Sequence, residues 1–129
     1  MARILSFRDL DVWKNGMDLV EGCYRLTRVF PPEERFGLAF QIRKSSVSVP
    51  SNVAEGHERR SRAAYLHHVC IAAGSCAELE TQVELARRLG FISADAARYT
   101  LDSAASLGRQ LSALIRALRR DASAPSPKP

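Results

Sequence analysis

Only three cysteines occur in the 129 residues, Cys23, Cys70 and Cys76. None stands in a C-x-x-C pair, so a complete disulfide framework is excluded and a reducing compartment is the simple reading. Aromatics are scarce at 7%, which leaves few rings for stacking on nucleic-acid bases. No apolar run approaches the ~20 residues that cross a bilayer, and Met1 to Phe7 lacks the charged-then-apolar order of a signal peptide. A cytoplasmic protein without membrane contact is expected. Glycine-rich phosphate loops, nucleophile elbows and convincingly placed carboxylate pairs are also missing, so enzymatic activity is not expected. No Glu-x-x-His occurs, although di-iron bundles use that motif on two helices. His67, His68 and Cys70 are close in sequence, but adjacent helical residues point in different directions. Neither a cofactor nor a metal ligand is therefore assigned.

What remains is an ordinary globular composition, 46% apolar and 26% charged. The length suits one domain, large enough to bury about two-thirds of its unfolded surface. Nineteen lysines and arginines against fourteen acidic residues give a net charge of +5. That excess fits an acidic partner such as RNA or DNA without identifying one.

Four helical segments emerge from the apolar spacing. In the first, from about Leu10 to Arg28, Trp13, Gly16, Val20, Cys23 and Thr27 recur in steps of three and four, beside a second line of Val12, Leu19 and Leu26. Pro31-Pro32 ends it, and Glu33 and Glu34 suit a short following turn. The second runs from Leu38 to Glu55, with Gly56 placed to end it in a left-handed cap. Pro50 interrupts this segment, since an interior proline removes a hydrogen bond and clashes with the preceding turn, at ~3 kcal/mol or more. Two shorter helices or one kinked helix would both satisfy the proline. Leu38, Ile42, Val49 and Val53 keep one stripe across it, which favours the kinked helix, with Ser45, Ser46 and Ser48 available to satisfy nearby carbonyls.

Ser61 is placed to cap a third helix reaching about Leu89 and stopping at Gly90. Tyr65, Val69, Ala72, Cys76, Leu79, Val83 and Ala86 form a heptad seam along it. Ser93 can cap a fourth helix with the seam Leu101, Ala104, Gly108, Leu111, Ile115 and Leu118. Residues 121–129 contain three prolines and little to pack, so a disordered tail is expected after a bundle domain over 1–120. The fold class predicted is all-α, an antiparallel up-down-up-down four-helix bundle with helix two kinked at Pro50.

These segments carry a family resemblance over Phe7 to Leu118. Its bearers are Phe7-Arg8-Asp9-Leu10, Val12-Trp13-Lys14, Phe30-Pro31, Glu34 to Leu38, Gln41 to Lys44, Ala72 to Ser75 and Glu78 to Gln82. The block Ser48-Val49-Pro50-Ser51-Asn52-Val53-Ala54-Glu55-Gly56 is the most specific. The chain resembles the bundle family encoded in intervening sequences of bacterial 23S ribosomal RNA genes, loosely called S23. It is also similar to the accessory protein of diversity-generating retroelements, a basic pentameric bundle associated with nucleic acid and a reverse transcriptase. The resemblance implies a homo-oligomeric ring of five subunits and no established enzymatic activity.

Several polar residues bear on function. Arg43, Asn52, Glu55 and Glu78 are expected as a structural polar network, its charged members, with Lys44 and Glu80, pairing between helices and subunits because buried charges need partners; a polar site inside the bundle that also takes in Gln82 is the alternative reading. Asn52, near Pro50, is expected to bond backbone around the proline. The run Ala72-Ala73-Gly74-Ser75-Cys76-Ala77, opposite Ser45, Ser46 and Ser48, suggests a tight crossing of helices two and three in which Gly74→Leu would be disruptive.

Arginines cluster three times. Arg59, Arg60 and Arg62 lie at the corner between helices two and three, Arg87 and Arg88 end helix three, and Arg116, Arg119 and Arg120 end helix four. A cation complements a helix C-terminus by ~0.3–1 kcal/mol, which accounts for one arginine per end but poorly for two or three. In an up-down bundle helices two and four end at the same pole, so the 59–62 and 116–120 groups converge, and a ring would multiply them. The favoured reading is an RNA- or DNA-binding oligomer making phosphate contacts with little sequence readout. The alternative is a protein-interaction scaffold, docking on a reverse transcriptase or another partner, whose basic ends confer only solubility.

Overall fold

The computed structural model describes residues 3–123. Four helices carry it: α1 Asp11–Thr27, α2 Leu38–Glu58, α3 Arg62–Arg88 and α4 Ala94–Ser123. Single 3-10 turns at Phe7–Asp9 and Pro32–Glu34 precede α1 and α2. No strand occurs among the described residues.

Apolar periodicity is translated directly into burial. On α3 the buried positions are Val69, Ala72, Cys76, Leu79, Val83 and Ala86, the heptad seam apart from half-buried Tyr65. They meet Leu19 and Cys23 of α1, Ile42, Val49 and Val53 of α2, and Leu107 and Leu111 of α4 in one core. Each fully buried leucine or isoleucine contributes ~1.5–3 kcal/mol relative to exposure. The α4 seam differs from expectation. Its buried line runs through Ala97, Thr100, Ala104, Leu107, Leu111 and Leu118, while Leu101, Gly108 and Ile115 are half-buried beside it. Thr100 supplied no apolar signal, so the periodicity locked onto the neighbouring line.

Polar pairs fix the helix register. Ser45 Oγ donates to Glu78 Oε1 at 2.7 Å, Ser48 and Ser75 share a hydroxyl contact at 2.8 Å, and His68 Nδ1 lies 3.0 Å from Asn52 Oδ1. Numbers rise along α2 as they fall along α3, so the two run in opposite senses. On the other side Arg43 Nε donates to Thr27 Oγ1 at 2.8 Å. A Cβ on Gly16 would stand only 3.3 Å from the Pro50 ring, so α1 and α2 are antiparallel too, with the glycine admitting the proline. Phe30 and Phe91 meet as tilted rings, 5.5 Å between centroids and 52° between planes, joining the α1–α2 and α3–α4 connections at one pole.

α2 remains helical through Pro50 and is not divided into two helices. Ser46 Oγ donates to the Arg43 carbonyl at 2.9 Å, and Asn52 Nδ2 donates to the Ser48 carbonyl at 2.9 Å. Gly56 is not the cap expected of it. The helix continues to Glu58, and the positive φ falls on Arg60 at 56°. Gly56 instead packs on α3, where an added Cβ would meet His68 Cβ at 2.6 Å and Tyr65 Cα at 3.3 Å. The crossing expected at Gly74 is likewise displaced. A Cβ there would find nothing within 4 Å, because Gly74 points outward and Ser75 faces α2. α4 extends to Ser123, three residues into the expected tail, and residues 124–129 lie outside the described residues. No described helix is long and apolar enough to cross a membrane.

Candidate nucleic-acid interface

At the pole opposite the Phe30–Phe91 pair, α2 gives way to α3 within three residues. Arg59 closes α2, donating its N–H to the Glu55 carbonyl at 3.2 Å. Arg60 then turns left-handed, a conformation costing a non-glycine residue roughly 1–2 kcal/mol. Ser61 caps α3 as expected, its Oγ accepting from the Ala64 N–H at 3.3 Å. This compact corner leaves a hollow of about 410 Å3, whose lining includes His57, Glu58, Arg60, Arg62, Tyr65 and Leu118. Leu118 belongs to the end of α4, so the α2–α3 corner and the α4 terminus do share a pole.

The six arginines are placed unequally. Arg60 and Arg62 line the hollow. Arg59 turns back along α2 to pair with Glu55 at 2.9 Å. Arg116 is not part of the hollow but lines a separate groove between α3 and α4 together with Arg109 and Glu80. Arg119 and Arg120 are exposed near the end of α4, directly after buried Leu118. At the other arginine end one carboxylate engages two cations. Glu84 receives Arg87 in a two-pronged contact, both bonds 2.8 Å, and Arg88 at 3.3 Å. The Arg87 hydrogen bonds foremost, with Arg88 assisting, hold its carboxyl down to about 2.

The four residues expected as one polar network form three separate groups. Arg43 meets Thr27 and lies 4.6 Å from the Tyr24 ring centroid, touching neither glutamate. Glu78 takes the Ser45 hydroxyl, as above. Asn52 and Glu55 converge on His68, whose Nε2 stands 4.0 Å from Glu55 Oε1. Arg43 lies too far along α2 to reach Glu55, and the side of α3 nearest it offers hydroxyl-bonded Glu78.

Nucleophilic and ligating chemistry is poorly supplied. Cys23 and Cys76 are buried, which pushes both thiols up to about 11, so they remain protonated near neutrality and pack as small apolar groups. Among the described residues no group of three or more His, Cys, Asp or Glu is arranged to hold a metal ion.

Two residues of the hollow carried no functional expectation from sequence, Tyr65 having been placed only on the α3 seam. His57 and Tyr65 meet edge-to-face at 5.4 Å, and His57 Nδ1 and the Tyr65 hydroxyl are both buried without a hydrogen-bond partner. Burial also pushes the Tyr65 phenol up, so it stays a donor. The available signal was a tyrosine opening an otherwise apolar seam, since a buried tyrosine hydroxyl usually finds a partner.

The chain belongs to the family described as the 23S rRNA-intervening sequence protein, whose family model matches residues 8–113. It is similar in fold to the crystal structure of a protein of unknown function from the S23 ribosomal protein family of Bacteroides thetaiotaomicron VPI-5482. The TM-score is 0.75 at 21% identity, over 81% of this chain and 97% of that one. No curated protein matches the chain significantly.

Proposed function

We propose that this family member is a non-enzymatic, homo-oligomeric bundle, a ring of five, that binds RNA or DNA through phosphate contacts at its arginine-rich pole. The carrying observation is the shared pole: Arg60 and Arg62 line the hollow that Leu118 of α4 also lines, and exposed Arg119 and Arg120 follow Leu118 directly in α4. Phosphate contacts need positive charge more than ring surfaces, which suits a chain poor in aromatics. Self-association is supported by apolar exposure at the other end. Phe36 and Phe40 are 83% and 49% exposed, and Leu85 and Leu89 are 45% and 55% exposed. The register of α2 against α3 puts these residues at one end, and large exposed apolar surface marks interaction sites.

Structured RNA titrated against the protein at several salt concentrations, with mass measured by light scattering, tests both halves. A mass near five times 14.3 kDa and affinity falling steeply with salt support the proposal. A monomer contradicts the ring. Weak, salt-indifferent binding contradicts the phosphate interface and favours a scaffold that docks a partner protein on its exposed phenylalanines.

A further inference from the structure

We infer that copies of this chain meet through the exposed side of α1, which docks on the α3–α4 groove of the next copy. Asp11, Asp18 and Arg25 of one copy then face Arg116, Arg109 and Asp102 of its neighbour. The inference deepens the oligomer proposed above: the count of five rests on that reading, the choice of faces does not.

The two faces carry complementary charge at one spacing. On α1, Asp11, Asp18 and Arg25 recur every seven residues and all are exposed, so they form one line with steps of about 10.5 Å. On α4, Asp102, Arg109 and Arg116 recur at the same interval and are exposed too. Laid antiparallel, the two lines join opposite charges at all three levels. Laid parallel, they would set Asp11 on Asp102 and Arg25 on Arg116. Among the described residues none of the six enters an ion pair. Apolar exposure favours association without direction, whereas matched charges select the partner face and its register.

Shape and height agree with the charges. Arg109 and Arg116 edge a groove lined also by Ala73, Ala77, Ala105 and Gly108, and a Cβ on Gly108 would meet nothing within 4 Å. Small side chains let a helix axis come close. Met17 and Tyr24, each 40% exposed, stand on the same side of α1 as Asp18 and Arg25 and supply apolar contact. Cys76 Sγ donates to the Ala104 carbonyl at 3.2 Å, so Glu80, one turn further along α3, lies towards the Asp102 end, where the neighbour presents Arg25. A face that meets a different face builds a ring if successive copies stay level and a filament if they climb. Asn15 Nδ2 donates to Gln110 Oε1 at 2.9 Å within one chain, which puts Asp18 level with Leu107. Its partner Arg109 on the next copy is two residues away, about 3 Å along the axis. An arginine side chain spans that offset, so the copies stay level and the contacts close. Arg116 thereby belongs to this contact and not to the phosphate surface.

The test follows the mass of the full chain by light scattering and sedimentation over a dilution series. Asp18→Arg and Arg109→Asp should each raise the concentration of half-assembly at least tenfold, since each sets like charges face to face. The double variant Asp18→Arg/Arg109→Asp restores an opposite pair and should return to within threefold of wild type. Both side chains are exposed, so circular dichroism should report wild-type helix content throughout. Arg25→Asp with Asp102→Arg repeats the cycle at the other end of the ladder and decides the matter if a first variant fails to fold. A wild type that assembles while the reversals leave its mass unchanged overturns this contact and keeps the oligomer. Single reversals that dissociate the assembly without rescue by the double variant overturn the pairing as well. A monomeric wild type overturns the oligomer and the contact together, and a mass that grows without limit overturns the level, closed arrangement.

Discussion

Substituting Gly56 by alanine tests how the arginine-rich corner is built. In an open helix interior the change from glycine to alanine gains ~0.5–1 kcal/mol by reducing backbone freedom. At Gly56 the new Cβ would lie 2.6 Å from His68 Cβ and 3.3 Å from the Tyr65 backbone, and neither neighbour is the loose end of a flexible chain. α2 and α3 must therefore separate, stretching the Asn52–His68 bond of 3.0 Å. Overpacking of this kind costs ~1–3 kcal/mol, a fall in Tm of roughly 4–15 °C for a domain of this size. Gly74→Ala is the internal control. It faces open space on the same pair of helices, so it should keep the propensity gain and raise Tm by roughly 2–5 °C. Thermal melts followed by circular dichroism read both. If Gly56→Ala melts at or above wild type, the close approach of the helices at the corner is wrong.

Two further outcomes follow from the charges and thiols. The Glu84 carboxyl, held down to about 2 from an ordinary 4.5, stabilises the fold above its unfolded value and loses that contribution as pH falls from about 5 to 2. Glu84→Gln should flatten the acid limb of stability over that window in urea titrations, and an unchanged slope would contradict the Arg87–Glu84–Arg88 cluster. Among the thiols, half-buried Cys70 should react first with an aromatic disulfide reagent, and Cys23 and Cys76 only on unfolding; three fast thiols in the native protein would contradict the buried core.

The helical stripes were legible because burial follows a period that sequence displays directly, as in α3 from Val69 to Ala86. The Ser61 cap was legible for a similar reason, being a local rule about one side chain and one amide. Glycine was harder to interpret. Gly56 and Gly74 look alike in sequence, yet one is pressed against α3 and the other faces outward, and only the helix register decides which. The end of α2 passed to Arg60 because packing claimed Gly56 first. On α4, Thr100 hid the buried line because a polar residue carries no apolar signal even when its position is internal. That α2 and α4 end at one pole could be anticipated from topology, whereas Arg116 falling in the α3–α4 groove, Arg59 turning to Glu55 and Glu84 engaging both Arg87 and Arg88 depend on side-chain reach. His57 and Tyr65 stayed hidden because sequence does not reveal a missing hydrogen-bond partner.

The most direct measurement is the salt dependence of RNA affinity for three proteins: wild type, Arg59/Arg60/Arg62→Ala and Arg87/Arg88→Ala. The slope of log affinity against log salt counts phosphates neutralised, at about 0.7 per contact for single strands and 0.9 for duplex. The corner variant should lose a slope of about 2, and the Arg87/Arg88 variant, in which Glu84 offsets one of two charges, should lose less than half of that. Equal loss from both variants, or a wild-type affinity that ignores salt, would contradict a phosphate interface confined to one pole.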